Sequence, residues 1–241
     1  MRNYFTFGDY DSRDFGVFIT RDGVYNAPRR VYRQIQVPGR NGDLMLDEGR
    51  FENIDVTYPC LIYKCFDANI EGLRNALLSH NGYVRLMDSY HPDEYRLGCF
   101  SEDLSVVPKV LGDGGTFEVT FNCKPQRFLT GGEVAHKYTE DASINNPTLF
   151  ASKPLIRVTF DTEAADEVFF YVGSDKITLQ NRFAYIDIDS DIQDCYSGYS
   201  NANPYVQFQS NDFPVLEPGV TGITLGAGIK SIEVTPRWFI L

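Results

Sequence analysis

Apolar and polar residues alternate with a period of two along most of the chain. Ile54-Asp55-Val56-Thr57-Tyr58, Phe117-Glu118-Val119-Thr120-Phe121 and Ile156-Arg157-Val158-Thr159-Phe160 all follow this pattern. So do Ala184-Tyr185-Ile186-Asp187-Ile188 and Ile232-Glu233-Val234. Such alternation predicts strands of antiparallel sheets with one face in a core and the other in water. Turn signals separate them at Asp22-Gly23, Asn41-Gly42, Asp113-Gly114-Gly115 and Pro218-Gly219. One stretch differs. From Asp67 to Leu78 the apolar positions are Ile70, Leu73, Ala76 and Leu77, the stripe of a helix. The spacing predicts a single helix over about 68–80, with Asp67 or Asn69 as N-cap and Asn81-Gly82 as the stop. Residues 129–154 lose periodicity and carry Gly131-Gly132, Asn145-Asn146-Pro147 and Lys153-Pro154. The expectation is therefore a mainly β chain of two domains, 1–131 and 132–241, with the helix in the first.

Composition sharpens this picture. A length of 241 residues suits one large domain or two ordinary ones, and 43% hydrophobic residues are enough for a real core. The formal charge of -11 disfavours wrapping around nucleic acid. It is unevenly spread: residues 1–130 hold 15 bases and 18 acids, residues 131–241 hold 7 and 15. No stretch nears the ~20 apolar residues that span a bilayer, so no membrane insertion is expected. The start, Met1-Arg2-Asn3-Tyr4-Phe5-Thr6, lacks the long apolar run of a signal peptide. Five cysteines without a Cys-x-x-Cys pair read as buried thiols of a protein made in a reducing cytoplasm.

Catalytic and metal signatures fail one by one. An EF-hand loop from Asp187 needs Gly at its sixth position and Glu at its twelfth, where Ile192 and Gly198 stand. The Asp187-Ile188-Asp189-Ser190-Asp191 run reads instead as a strand with an acidic solvent face that enters a turn. His80, His91 and His136 have no metal-ligand spacing, and His80 reads as a residue of the helix C-terminus. There is no Gly-x-Ser-x-Gly elbow. Gly112-Asp113-Gly114-Gly115 lacks the Lys-Ser/Thr of a phosphate loop, and Gly226-Ala227-Gly228 leads into a strand where a dinucleotide motif needs a helix. No catalytic residue, cofactor or metal is expected.

Two clusters stand out as binding surfaces. Arg29, Arg30, Arg33 and Arg40 form the most basic stretch of an acidic chain; phosphate binding is one reading, and a subunit interface is favoured over it, because arginine pairs bidentately with the carboxylates this chain holds in excess. Tyr196, Tyr199 and Tyr205 lie in a Gly- and Asn-rich stretch, where tyrosines serve as sugar platforms or as ordinary packing.

Several segments, taken in order, resemble the distal tail protein (Dit) family of long-tailed bacteriophages. They begin with Phe15-Gly16-Val17 and Val37-Pro38-Gly39-Arg40-Asn41-Gly42-Asp43-Leu44, followed by Gly49-Arg50-Phe51-Glu52-Asn53 and the single helix. Leu86-Met87-Asp88-Ser89-Tyr90-His91-Pro92-Asp93 and Phe117-Glu118-Val119-Thr120-Phe121-Asn122-Cys123-Lys124-Pro125 come next. Asn146-Pro147-Thr148, Lys153-Pro154-Leu155-Ile156, Asp187-Ile188-Asp189-Ser190 and Pro236-Arg237-Trp238 complete the series. The resemblance implies an N-terminal β-sandwich or barrel-like domain with one helix that forms a ring, typically hexameric. A C-terminal galectin-like β-sandwich would face outward.

It further implies a non-enzymatic hub of the phage tail tip or baseplate. Such a hub joins the tail tube protein to tail-associated lysin-like, tail fibre or receptor-binding proteins, with DNA only as passing cargo. It would be assembled in the bacterial host cytoplasm and reside in the virion tail. With no long insertion between Lys153 and Trp238, the chain matches the compact form. The rival reading is a carbohydrate-binding module that recognises host cell-wall saccharide through the C-terminal sandwich. Under the hub reading, a weakly acidic channel lets DNA slide without sticking.

Overall fold

The computed structural model describes residues 2–20, 25–63, 65–108, 114–161 and 166–241. Asp22-Gly23, Gly112 and Asp113, singled out above, lie outside the described residues. The chain divides into two compact units, Met1–Arg127 with Leu241, and Phe128–Ile240.

The first unit contains β1 (Phe5–Phe7), β2 (Tyr10–Asp11), β3 (Val17–Ile19), β4 (Arg30–Ile35), β5 (Leu44–Phe51) and β6 (Ile54–Tyr63). The helix α1 (Phe66–Leu78) follows, then β7 (Val84–Asp88), β8 (Glu94–Cys99), β9 (Val106–Pro108) and β10 (Gly114–Cys123). Alternation on β6 buries Ile54, Val56, Tyr58, Cys60 and Ile62 on one face. It pairs along its whole length with β10, from Tyr63↔Gly114 to Ile54↔Cys123. Phe117, Val119, Phe121 and Cys123 thereby enter the same core. The strands run β2-β1-β7-β8-β10-β6-β3, all neighbours antiparallel, with β9 on the far part of β10. A bridge between Asn3 and Ile19, in which the Ile19 N–H donates to the Asn3 carbonyl at 2.8 Å, ties β3 back to the chain entering β1. The sheet is thus curled onto itself as a barrel-like layer, which satisfies strand edges that would otherwise be open. Phe5, Tyr58, Phe7 and Phe121 form its aromatic centre, with Phe5 stacked on Tyr58 at 5.6 Å and Phe7 4.8 Å from Phe121.

The helix lies two residues earlier than its pattern predicts at either end. Ile70, Leu73, Ala76 and Leu77 are buried, as the stripe requires. Its N-cap is Cys65, in the left-handed region at φ 47° and without a side-chain capping bond. Neither Asp67 nor Asn69 caps it, and Asp67 sits in the first turn, where its charge favours the helix dipole. Phe66, packed against the core, sets the start instead. His80 lies just past the helix, its ring 5.3 Å from Phe7 and 5.5 Å from Tyr10, so aromatic packing holds it.

All five cysteines are thiols. Burial pushes Cys60, Cys123 and Cys195 up to about 12, so they remain inert. The expectation of uniformly buried thiols fails at Cys65, which the helix N-terminus holds exposed, and at the half-buried Cys99.

The second unit begins within β11 (Arg127–Leu129), at Phe128, and the Leu129 N–H donates at 2.8 Å to the carbonyl of Trp238, which immediately precedes β23 (Phe239–Ile240). Between them lie β12 (His136–Tyr138), β13 (Ala142–Asn146), β14 (Leu155–Phe160), β15 (Glu167–Val172), β16 (Asp175–Gln180) and β17 (Tyr185–Asp189). They are followed by β18 (Asp194–Ser197), β19 (Ser200–Asn201), β20 (Val206–Phe208), β21 (Gly219–Leu225) and β22 (Ile229–Thr235). Two antiparallel sheets result, β12-β22-β14-β17-β18-β19 and β13-β21-β15-β16-β20. The inward residues of both, among them Ile156, Val158, Ile186, Phe170, Ile177 and Ile223, form one core, which makes the unit a β-sandwich.

The acidic run departs from its expected solvent face. Asp187 and Asp189 are buried at 3% and 5% exposure, each beneath an arginine. Arg157 grips Asp187 with two bonds of 2.7 and 2.8 Å, and Arg237 grips Asp189 with bonds of 2.6 and 2.8 Å. The facing strand β14 supplies the fork for Asp187 and the segment that follows β22 supplies the fork for Asp189, so each acid of the pair is matched. Burial alone would raise the Asp189 carboxyl, but the bonds and charge of Arg237 and the Asp191 and Ile192 N–H groups outweigh it and hold it low. The native carboxyl therefore titrates below the unfolded one. Its stabilisation is complete above the ordinary carboxylate range and is lost as pH falls through the depressed native value. Asp189→Asn, which leaves Arg237 without its counter-charge, is expected to cost roughly 2–3 kcal/mol near neutral pH, below the full cost of a wholly buried pair because Arg237 is partly exposed. Urea unfolding should show this deficit shrinking as pH falls below the ordinary carboxylate range.

Candidate assembly surface

The four arginines of the basic stretch all belong to one feature, the two-stranded ribbon of β4 and β5. Its residues enter neither hydrophobic core. The root is fixed where the Glu52 N–H donates to the Arg29 carbonyl at 2.9 Å, immediately before β6 begins. The tip is Val37-Pro38-Gly39-Arg40, closed by the Arg40 N–H donating to the Val37 carbonyl at 3.1 Å. Proline presets the second position of such a turn and the third needs positive φ, which Gly39 adopts at 80°. The Pro38–Leu44 run is therefore the tip of an arm. Near the root the register shifts between Arg30 and Tyr32, and opposite it Gly49 takes φ 70° while its N–H donates to Asp47 Oδ1 at 2.9 Å. That irregularity turns the ribbon before it joins the barrel.

Cross-strand charge holds the arm in register. Arg30 donates through Nε at 2.8 Å and through Nη2 to the same oxygen of Asp47, and its guanidinium lies 5.3 Å from the Phe51 ring. This bond, with the Gly49 N–H, holds the Asp47 carboxyl below the usual carboxylate range. Glu48 stands between Arg33 at 4.0 Å and Arg50 at 3.4 Å. Arg29 at the root and Arg40 at the tip are exposed. The structure thus brings Arg29, Arg30, Arg33 and Arg40 onto one element, although Arg30 is committed within it.

What sequence reasoning missed is the apolar character of the arm. Tyr32, Ile35, Val37, Leu44, Met45 and Leu46 are all exposed, at 37–54%. The alternation that marks β6 and β10 is weak here because large apolar residues fall on consecutive positions, Leu44-Met45-Leu46. That triplet was the available signal, since a strand with apolar residues on both sides implies cover on both. An isolated two-stranded ribbon is marginal in water, so this one belongs against other surfaces.

The three tyrosines are not equivalent. Tyr196 stands on β18 opposite Asp187 on one side and Asn201 on the other. Tyr199 occupies the β18–β19 turn and is fully exposed. Tyr205 lies in a 3-10 turn, half-buried, with its ring 5.6 Å from Phe183. Tyr196 and Tyr199 share a hairpin, whereas Tyr205 is committed to packing.

The histidines have structural surroundings. The Asp88 carboxylate accepts from Tyr58 Oη at 2.8 Å and from the Tyr90 and His91 N–H groups at 2.9 and 3.0 Å, with His91 Nδ1 at 3.2 Å. Burial, reinforced by Asp88, holds the Tyr58 phenol well above its ordinary range and protonated as the donor. His136 is exposed on β12, opposite Val234. Among the described residues, no group of three His, Cys, Asp or Glu side chains is placed to hold a metal ion, and no helix is long and apolar enough to cross a membrane.

No protein-family model matches the sequence, and no curated protein matches it. Solved structures do. The SPP1 Dit (gp 19.1) protein, described as a paradigm of hub adsorption apparatus in phages infecting Gram-positive hosts, superposes with a TM-score of 0.79 at 16% identity over 100% of both chains. A chain of the phage P2 baseplate in its activated conformation with Ca gives 0.53 at 10% identity, over 97% of this chain and 98% of that one. The same baseplate activated with Sr gives 0.51 at 10% identity, over 96% and 97%. The fold, barrel-like unit and sandwich together, is that of the SPP1 Dit protein.

The exposure of the arm yields a direct expectation for the unassembled chain. Trypsin should nick first after Arg40 at the tip, leaving both cores intact. Peptide mapping of a short digest checks this; initial cleavage within either core would contradict it.

Proposed function

We propose that this chain is the structural hub of a phage tail tip or baseplate, a ring of identical subunits without enzymatic activity. The observation that carries this reading is the likeness to the SPP1 Dit hub protein over the full length of both chains, both units included. The P2 baseplate chains support the same setting. Residues 1–131 build the ring, a hexamer by analogy, and residues 132–241 form the galectin-like sandwich. The ring joins the tail tube protein to tail-associated lysin-like, tail fibre or receptor-binding proteins. The genome passes through a weakly acidic opening, where phosphates find no cationic surface to hold them. Assembly takes place in the bacterial host cytoplasm and the product resides in the virion tail.

A closed ring of identical subunits needs two different complementary patches on each. The arm supplies one of them. Residues 29–51 hold five arginines against Asp43, Asp47 and Glu48, net +2, while the rest of the chain has 17 bases against 30 acids, net -13. Another copy of the chain is thus an acidic surface for a basic arm.

Negative-stain microscopy and sizing with light scattering of the purified chain should reveal closed rings without added saccharide. Charge reversal at Arg29 and Arg33 should weaken ring formation about tenfold or more. Intact rings from the reversed variant would refute the arm assignment. A wild-type chain that remains monomeric and binds cell-wall polysaccharide through Tyr196 and Tyr199 would instead establish the saccharide-binding reading.

A further inference from the structure

Alternation on β8 turns Arg96 and Gly98 to the inside of the barrel-like unit, since Arg96 stands opposite the core residue Leu86. An arginine thus occupies a position that the pattern reserves for an apolar side chain. It is 9% exposed and, among the described residues, its guanidinium has no hydrogen-bond or ion-pair partner. Burial pushes Arg96 below its ordinary range, and the charge of Arg127 adds to this, yet an arginine stays charged in a protein. The Asp88 carboxylate reaches Arg96 only through space, because its oxygens are taken up by Tyr58 and by the Tyr90 and His91 N–H groups.

Arg96, Arg127, Glu94, Asp88, Tyr58 and His91 line a narrow cavity of about 20 Å³, space for one water-sized body. Arg127 Nη1 stands 3.2 Å from Glu94 Oε2, but Arg127 Nε and Glu94 Oε2 are both buried without a hydrogen-bond partner. Formal charge around the cavity balances, with two arginines against Asp88 and Glu94. Hydrogen-bond capacity does not balance. The whole N–H fork of Arg96 and the Nε–H of Arg127 face one such side-chain oxygen among the described residues, that of Glu94.

We propose that this cavity binds a small inorganic anion of halide size, held between the guanidinium groups of Arg96 and Arg127. A water molecule would bring further donors to a site that already holds too many, whereas a halide only accepts. An oxyanion such as phosphate exceeds the space. The ion ties β8 to β11, which pairs with it where the chain leaves the N-terminal unit, so binding stabilises that unit. This site does not depend on the hub reading.

The test uses the full-length chain. Calorimetric melts of the wild type and of Arg96→Met are compared in sodium chloride and in sodium gluconate, whose anion is too large for the cavity, at equal ionic strength. Chloride should raise the wild-type midpoint by roughly 4 °C over gluconate, in a titration that saturates. The difference between the salts should vanish in Arg96→Met, whatever the midpoint of that variant, since replacing a buried charge by an apolar side chain shifts stability in either direction. Equal wild-type midpoints in the two salts overturn the site, as does a difference that survives in Arg96→Met. A second measurement needs no substitution: wild-type crystals grown in sodium bromide and measured at the bromine absorption edge. An anomalous peak within hydrogen-bonding reach of Arg96 and Arg127 is the result expected. Density there without anomalous signal marks an ordered water only and overturns the proposal.

Discussion

The ladder between β6 and β10 is the constraint on which the N-terminal unit depends. It pairs ten residues with ten, without interruption, and sets five side chains of β6 and four of β10 in one core. Everything else in that unit attaches to it. β3 pairs with the Cys60–Ile62 end of β6, and the Asn3–Ile19 bridge then closes the sheet. Tyr58, central on β6, stacks on Phe5 and donates to Asp88, so one residue ties the core to the β7 turn. The arm runs directly into Ile54, the first residue of the ladder. A projecting ribbon with no core of its own can keep a defined root only if the strand that it continues cannot slip. The period-two burial of β6 supplies this, because a one-residue shift would expose its whole apolar set.

The sandwich uses a different device for the same end. Its six-stranded sheet carries a row in register from Lys137 through Glu233, Arg157 and Asp187 to Tyr196 and Asn201. Lys137 donates to Glu233 at 2.9 Å, and Arg157 forks onto Asp187 while resting 4.5 Å from the Tyr185 ring. Charges that alternate across strands fix register on an outer face where no apolar contact can do so. The ion pairs on the surface contribute modestly, but the buried Asp187 and Asp189 must be matched by their arginines or the sheet bears uncompensated charge.

Legibility followed the strength of the local signal. Where one face of a strand is core and the other water, as on β6, β10, β14 and β22, alternation alone located the strand. The helix was legible from Ile70, Leu73, Ala76 and Leu77, but its ends were not, because Phe66 packing rather than an Asp or Asn cap decides the start. Asp187 and Asp189 looked like solvent residues, since sequence shows the acid but not the arginine facing it from β14 or following β22. The arginine cluster was visible as charge. Leu44-Met45-Leu46 signalled apolar residues on both sides of one strand, but that the strand belongs to an isolated ribbon was hidden, because register cannot be read without knowing where the turn closes.

The arm shows how a marginal element can be made ready for association. Ordering a flexible ribbon at the moment of docking would oppose binding with the conformational entropy of a dozen residues or so. Here much of that ordering precedes contact. Pro38 and Gly39 preset the tip, the Gly49 irregularity directs the root, and Arg30–Asp47 and the Glu48 pairs hold the two strands together. These pairs act across the ribbon and pin its register, while the arm as a whole keeps its excess of arginines over acids. Arginine suits the task better than lysine, because its flat guanidinium forks onto a carboxylate and rests on a ring together, as Arg30 does between Asp47 and Phe51. Arg29 and Arg40, at the two ends, take no part in those pairs. The apolar residues between are then presented on a framework that is already ordered, so burying them would meet little further ordering cost.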